Sequence, residues 1–159
     1  FLTDCSEIYR ESLRTKIIAV TGSCGKTSLK DMLGFVLSKN YQTTYSKKSF
    51  NNKYGVPLSL LNINQKDKFG VIEVGMDKKG EIDFLSKIVK PDIGVITNIS
   101  FAHIKNFKNI LGIAAAKGEI INNINPHGSI ILNADDRFYN FHKKLAFKKK
   151  IKVFSFSLK

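Results

Sequence analysis

The segment Thr21-Gly-Ser-Cys-Gly-Lys-Thr-Ser28 leaves this chain few folds to choose from. An apolar run, Lys16 to Val20, leads into it, and a helical pattern, Leu29 to Leu37, leads out. Strand, glycine turn and helix in that order make a phosphate-binding loop. Gly22 and Gly25 let the turn close and bring backbone N–H groups against a phosphate, while the helix N-terminus adds roughly half a positive charge. Lys26 would reach the β- and γ-phosphates, and Thr27 would offer its hydroxyl to Mg²⁺. The strict pattern asks for another glycine where Val20 stands, so what is present is the shorter form Gly22-x-x-Gly25-Lys26-Thr27. A glycine turn can serve packing alone, but a Lys-Thr pair at a helix start favours nucleotide binding.

The remaining chain alternates strands with helices. Ser6 to Leu13 reads as a short amphipathic helix with Ile8 and Leu13 inward and Glu7, Arg10 and Glu11 outward. The helix after the loop, to Ser38, carries Leu29, Met32, Leu33, Val36 and Leu37 as a core stripe. Gln42 to Tyr45 is a short strand, Ser46 to Gly55 a polar loop, and Val56 to Leu61 a helix with Pro57 in its first turn. Buried strands follow at Phe69 to Gly75 and Ile93 to Thr97, with helices over Glu81 to Val89 and Ile110 to Asn122. Ser129 to Leu132 is a strand, Arg137 to Leu145 a helix and Lys152 to Phe156 a last strand. The pattern predicts one α/β domain over residues 1–159, a mostly parallel sheet with helices on both faces. Ligands bind such sheets beyond the strand C-terminal ends. The phosphate loop, Glu73 to Met76, Asn98 to His103 and Asn133 to Asp136 all fall there.

Charge adds less than its size suggests. Lys plus Arg number 26 against 13 Asp plus Glu, a net +13 that favours anionic partners. The excess is spread along an Ile- and Asn-rich chain, which is how a solvated lysine surface looks, and no base-reading motif accompanies it. Sequence-specific nucleic-acid binding is therefore not expected. Cys5 and Cys24 make no disulfide framework and suit a reducing compartment, the cytoplasm by default. No apolar run approaches the ~20 residues of a membrane span. The chain opens on Phe1 and stops just after a strand, as expected of a segment of a longer protein.

Several residues stand out chemically. Glu73 interrupts an apolar strand, and a buried carboxylate needs a cation or hydrogen bonds; Mg²⁺ is favoured over an ion pair with a lysine because the nucleotide loop is one strand away. His103 lies at the right edge of the sheet, whereas His127 in a turn and His142 in a basic helix read as ordinary, partly exposed histidines. At about 100° per residue, Ile113, Ala114, Lys117 and Ile121 share one stripe, with Glu119 opposite. Lys117 thus faces inward, or snorkels to a rim that is the nucleotide site. Cys24 sits among helix amides but no base stands beside it, so its backbone is what matters.

Taken in order, Val20-Thr-Gly-Ser-Cys-Gly-Lys-Thr27, Phe50-Asn-Asn-Lys-Tyr-Gly-Val-Pro-Leu58, Ile72-Glu-Val-Gly-Met76, Gly80-Glu-Ile82, Thr97-Asn-Ile-Ser-Phe-Ala-His103, Ala116-Lys-Gly-Glu-Ile120 and Leu132-Asn-Ala-Asp-Asp136 resemble the central, ATP-binding domain of the Mur ligases. The Asn51 to Leu58 and Gly80 to Ile82 segments are most similar to the branch that adds D-alanyl-D-alanine to UDP-N-acetylmuramoyl-tripeptide in peptidoglycan synthesis. The resemblance implies an ATP- and Mg²⁺-dependent amide ligase, monomeric, in which a substrate carboxylate becomes an acyl phosphate that the amine captures. It implies that Gly22, Ser23, Cys24, Gly25, Lys26, Thr27 and Ser28 cradle ATP and that Lys26 stabilises the transferring phosphoryl group. Asn98 and Asn133 would line the nucleotide site, and Asn51 and Asn52 would face the muramyl peptide. Thr27 with Glu73 would bind one metal and His103 a second, and Lys117 matches the family's carbamylated lysine.

The chain also departs from the family. It lacks the N-terminal domain that holds the UDP-sugar and the C-terminal domain that completes the ATP and amine sites, so the segment alone is not expected to ligate. Lys53 and Tyr54 stand where an acidic and an aliphatic residue are expected. The competing readings are a sibling such as MurE, a folylpolyglutamate synthase, or a phosphate-loop module that holds ATP without ligating. The Asn51 to Leu58 segment argues against the first two, and Glu73, His103 and Lys117 against the third.

Overall fold

In a computed structural model, which describes residues 1–101 and 106–158, six strands form one parallel sheet in the order β2-β3-β1-β4-β5-β6. The strands are β1 (Lys16–Thr21), β2 (Thr43–Tyr45), β3 (Phe69–Glu73), β4 (Ile93–Ile96), β5 (Ser129–Asn133) and β6 (Lys152–Phe156). Between and before them lie α1 (Leu2–Ser12), α2 (Lys26–Ser38), α3 (Gly55–Leu61), α4 (Glu81–Val89), α5 (Ile110–Gly118) and α6 (Tyr139–Lys148). The expected final helix begins two residues late because Asp136 caps the turn before it, accepting from Phe138 N at 2.8 Å. The long helix expected from Ile110 tightens after Gly118 into a 3-10 turn, Glu119–Asn123.

The crossovers decide which face each helix covers. Only the step from β1 to β2 runs toward one edge of the sheet, while every later step runs the other way. Right-handed connections therefore put α2 alone on one face and the other helices on the opposite face. Leu29, Leu33 and Leu37 pack with Ile18, Val20, Val71 and Val95 on the α2 side. Ile17, Ala19, Ile72 and Ile96 meet Leu60, Leu85, Ile113 and Ala146 on the other.

Three sequence expectations are corrected here. Met32 and Val36 do not belong to the core: they are 64% and 59% exposed. The helix rests on its Leu29-Leu33-Leu37 ridge and turns Lys30 and Gly34 toward β2, where a Cβ on Gly34 would lie 2.4 Å from the Tyr45 ring. Arg10 points inward rather than outward, with Nε donating to Val89 O at 2.7 Å and Nη2 to Lys90 O at 2.8 Å, so it ties α1 to the end of α4; Ile8 is the exposed one. His142 is buried rather than partly exposed; its Nε2 lies 2.9 Å from Ala114 O on α5, and burial lowers its pKa.

Candidate functional site

At the end of β1 the chain turns sharply through Gly22. A Cβ there would lie 1.8 Å from Thr97 Oγ1, and its φ of 145° belongs to glycine, so the turn presses directly on the end of β4. Gly25, at φ 78°, then starts α2. No side chain caps that helix and no acidic residue occupies its first turn. Its hydrogen-bond ladder begins only with Leu29 N donating to Gly25 O, so the amides of residues 26–28 precede the ladder and give an anion site its donors. The loop is braced from β4. Ser23 N donates to Asn98 O at 2.9 Å, Cys24 N to Asn98 Oδ1 at 3.0 Å, and Thr97 Oγ1 to Cys24 O at 2.7 Å. Asn98 thus holds the loop through its backbone and its side chain, and Cys24 engages through its backbone. Ser28 is exposed in the first turn.

Two lysines converge behind the turn. Lys26 Nζ and Lys117 Nζ each donate to Gly22 O at 3.0 Å, one from α2 and one from α5 across the sheet. Lys117 is 1% exposed, as the helical stripe predicts. Burial, with the nearby Lys26 charge adding to it, lowers its pKa from 10.5 to about 7. Glu119, first residue of the 3-10 turn that follows α5, caps α4 by accepting from Gly80 N at 3.0 Å and Asp83 N at 3.1 Å. Thr21 Oγ1, buried one residue before Gly22, has no hydrogen-bond partner among the described residues.

Glu73 closes β3 one strand away and is 1% exposed. Its Oε2 accepts from Thr27 Oγ1 at 2.8 Å and its Oε1 from Asn51 Nδ2 at 2.7 Å. These neighbours are a hydroxyl and an amide rather than the lysine of an ion pair, so the buried carboxylate has hydrogen bonds but no counter-charge among the described side chains. Asn52 turns the other way, its Oδ1 accepting from Tyr54 N and Gly55 N at the start of α3. A cavity of about 360 Å³ opens beside the loop, lined by Lys26, Lys117, Asn51, Asn52, Glu81 and Phe84 among others. Asn133 lies with Asn98, Asp136 and Tyr139 around a small cleft beyond β4 and β5, and Asp136 Oδ2 accepts from Ile99 N at 2.7 Å. His103 lies outside the described residues.

Sequence reasoning brought Lys26, Thr27, Glu73, Lys117 and Asn51 to one place but missed what holds them. Thr97 opens one of the segments that carry the resemblance, but nothing in it told of the contact with Gly22, and Lys30 beneath the loop of Asn51 carries no motif. The only sequence sign of Lys30 is a charge on the buried arc of α2.

The uncapped helix, the glycine turn and the lysine pair define a phosphate-loop nucleotide-binding domain of the α/β class. Residues 20–159 match the family model for the Mur ligase middle domain, and the chain belongs to that family. It is 44% identical over 135 residues to the UDP-N-acetylmuramoyl-tripeptide--D-alanyl-D-alanine ligase of Buchnera aphidicola from Acyrthosiphon pisum, a match covering 85% of this chain and 30% of that protein. The crystal structure of MurF from Acinetobacter baumannii superposes with a TM-score of 0.92 at 38% identity, covering 97% of this chain and 34% of that one. The MurF ligase of Thermotoga maritima in complex with ADP gives 0.87 at 27% identity, over 98% and 36%. The chain therefore spans about a third of the length of the relatives it matches.

Proposed function

We propose that this chain is the ATP-binding middle part of a cytoplasmic, monomeric ligase that joins D-alanyl-D-alanine to UDP-N-acetylmuramoyl-tripeptide through an acyl phosphate. The observation that carries the reading is the meeting of Lys26, Thr27, Glu73 and Lys117 around an uncapped helix N-terminus, in a chain whose relatives bear that ligase's name. Those names favour it over MurE, a folylpolyglutamate synthase or a phosphate-loop module without catalysis.

The residues present suit Mg-ATP. The first-turn amides of α2 and the Lys26 ammonium would hold phosphate oxygens, with residues 22–28 forming the loop around them. Thr27 and Glu73 supply hard oxygen donors, and the buried carboxylate lacks the positive charge a divalent cation would bring. No cluster of three or more His, Cys, Asp or Glu side chains occurs among the described residues, as suits Mg²⁺, which takes most of its ligands from phosphate and water. Bound Mg-ATP supplies the phosphoryl group that activates the substrate carboxylate. Asn98 keeps the loop in shape, and Asn133 borders the cleft on the nucleotide's side. Asn51 orients Glu73, and the cavity it lines with Asn52 is where the peptide carboxylate would arrive. His103 is assigned to a second metal by resemblance alone. Lys117, buried behind the phosphate loop with its pKa lowered to about 7, is placed to take up CO₂.

Phosphate release by the full-length protein tests the reading. It should require both the UDP-linked tripeptide and D-alanyl-D-alanine and vanish in Lys26→Ala, while the 159-residue segment binds Mg-ATP weakly and ligates nothing. Release with another amine in place of D-alanyl-D-alanine, or Lys26→Ala binding ATP as tightly as the wild type, refutes it.

A further inference from the structure

Lys30 lies on α2 one turn beyond Lys26 and is wholly buried. Its ammonium donates to Asp31 Oδ1 at 2.6 Å, Ser46 O at 2.7 Å and Lys48 O at 3.0 Å, which uses all three of its donors. Asp31 is its neighbour in sequence and half exposed. The two carbonyls belong to the segment between β2 and α3. An apolar side chain would fill this space without the penalty of dehydrating a charge. What an apolar side chain cannot do is aim two backbone carbonyls inward.

The tethered segment is the one that reaches the site. Ser46 Oγ accepts from Glu73 N at 3.2 Å, Ser49 Oγ lies 3.5 Å from Thr27 Oγ1, and Asn51 O accepts from Gly75 N at 2.8 Å. Asn51 Nδ2 then holds Glu73 Oε1, leaving Oε2 turned to Thr27. Lys48 sits at φ 49°, a left-handed conformation that a non-glycine residue keeps only where its surroundings impose it. Lys30 is the buried group that holds the Lys48 carbonyl.

We propose that Lys30 is a positioning residue for the divalent-cation site: through the Ser46 and Lys48 carbonyls it sets the segment 46–52, and through Asn51 it sets the Glu73 carboxylate. It touches neither nucleotide nor metal. The proposal rests on the assignment of Thr27 and Glu73 to the cation.

The test uses the full-length protein with Lys30→Met, Asn51→Ala and Glu73→Gln. Amide hydrogen exchange is followed without nucleotide or metal, and ATP affinity is titrated against Mg²⁺ and again in chelator. In Lys30→Met, residues 46–51 and Gly75 should exchange about ten-fold faster. The Mg²⁺ midpoint should rise roughly five-fold or more, as in Asn51→Ala, while affinity in chelator stays within about two-fold. A lysine that only stabilised the fold would lower the melting temperature and move neither. Unchanged exchange at Asn51 and Gly75, or an unchanged Mg²⁺ midpoint while Glu73→Gln raises it, overturns the proposal. If Glu73→Gln itself leaves the midpoint unchanged, the cation assignment is what fails, and the exchange at Asn51 and Gly75 decides the role of Lys30. Should Lys30→Met not fold, Lys30→Gln, whose amide still reaches one carbonyl, serves in the same comparisons.

Discussion

Lys117 should take up CO₂ at a pH where an ordinary lysine does not. Only the neutral amine reacts, forming an N–C bond to CO₂ and releasing one proton, so the yield follows the neutral fraction. Burial and the neighbouring Lys26 lower the pKa from 10.5 to about 7. At pH 7.5 an ordinary lysine is neutral about once in a thousand, whereas at a pKa of about 7 a sizeable share of Lys117 is neutral, a gain on the order of hundreds-fold. The full-length protein incubated with ¹³C-bicarbonate should show a carbamate carbon resonance, half-developed near pH 7, that disappears in Lys117→Ala. Ligation should nearly disappear in that variant, with partial recovery on adding short-chain carboxylic acids that fill the vacated space. Stability carries the same signature. The folded pKa lies below the unfolded one, so between about 7 and 10.5 the unfolded chain binds more protons, and stability rises with pH across that window. Below pH 7 the buried ammonium costs a few kcal/mol in full, and Lys117→Met should be the more stable protein there. A carbamate signal that is absent at pH 8, or that develops only above pH 9, refutes the reasoning, as does near-normal turnover by Lys117→Ala.

Three further outcomes are expected. Glu73→Gln should raise the Mg²⁺ needed for ATP binding by roughly ten-fold or more, because the amide oxygen still accepts from Asn51 and the Thr27 hydroxyl can turn to accept from the amide nitrogen, but the charge is lost; unchanged Mg²⁺ dependence in calorimetry would make the carboxylate structural. Gly22→Ala should cost about 3 kcal/mol and lower the melting temperature by roughly 10 °C, since the new Cβ meets Thr97 Oγ1 at φ 145°. The double variant with Thr97→Ala should recover only part of the loss, the backbone strain remaining, and a wild-type melt for Gly22→Ala alone would contradict the close approach. Despite the net +13, gel-shift titration should give only salt-sensitive, sequence-indifferent complexes with DNA; a salt-resistant, selective complex would overturn that.

The order of elements and the identity of the phosphate loop were legible in the amino-acid sequence because both are local. The bounds of α4 and β6 follow from hydrophobic period and punctuation, each signal lying within about ten residues of its effect. The inward turn of Lys117 was legible for the same reason, since helical geometry is set by near neighbours. In α2, tertiary structure decided which flank is covered. Met32 and Leu33 are both apolar, and only the way α2 seats on the sheet, with Lys30 and Gly34 turned toward β2, put Leu33 inside and Met32 in water. It alone decided that Arg10 and His142 are buried, because their partners lie at Val89 and Lys90 and at Ala114, far away in the chain. The same holds at the site: the two oxygens of Glu73 are shared between residues 46 and 22 positions distant, and the acceptor that Lys26 and Lys117 share is a backbone carbonyl, which has no letter of its own in a sequence.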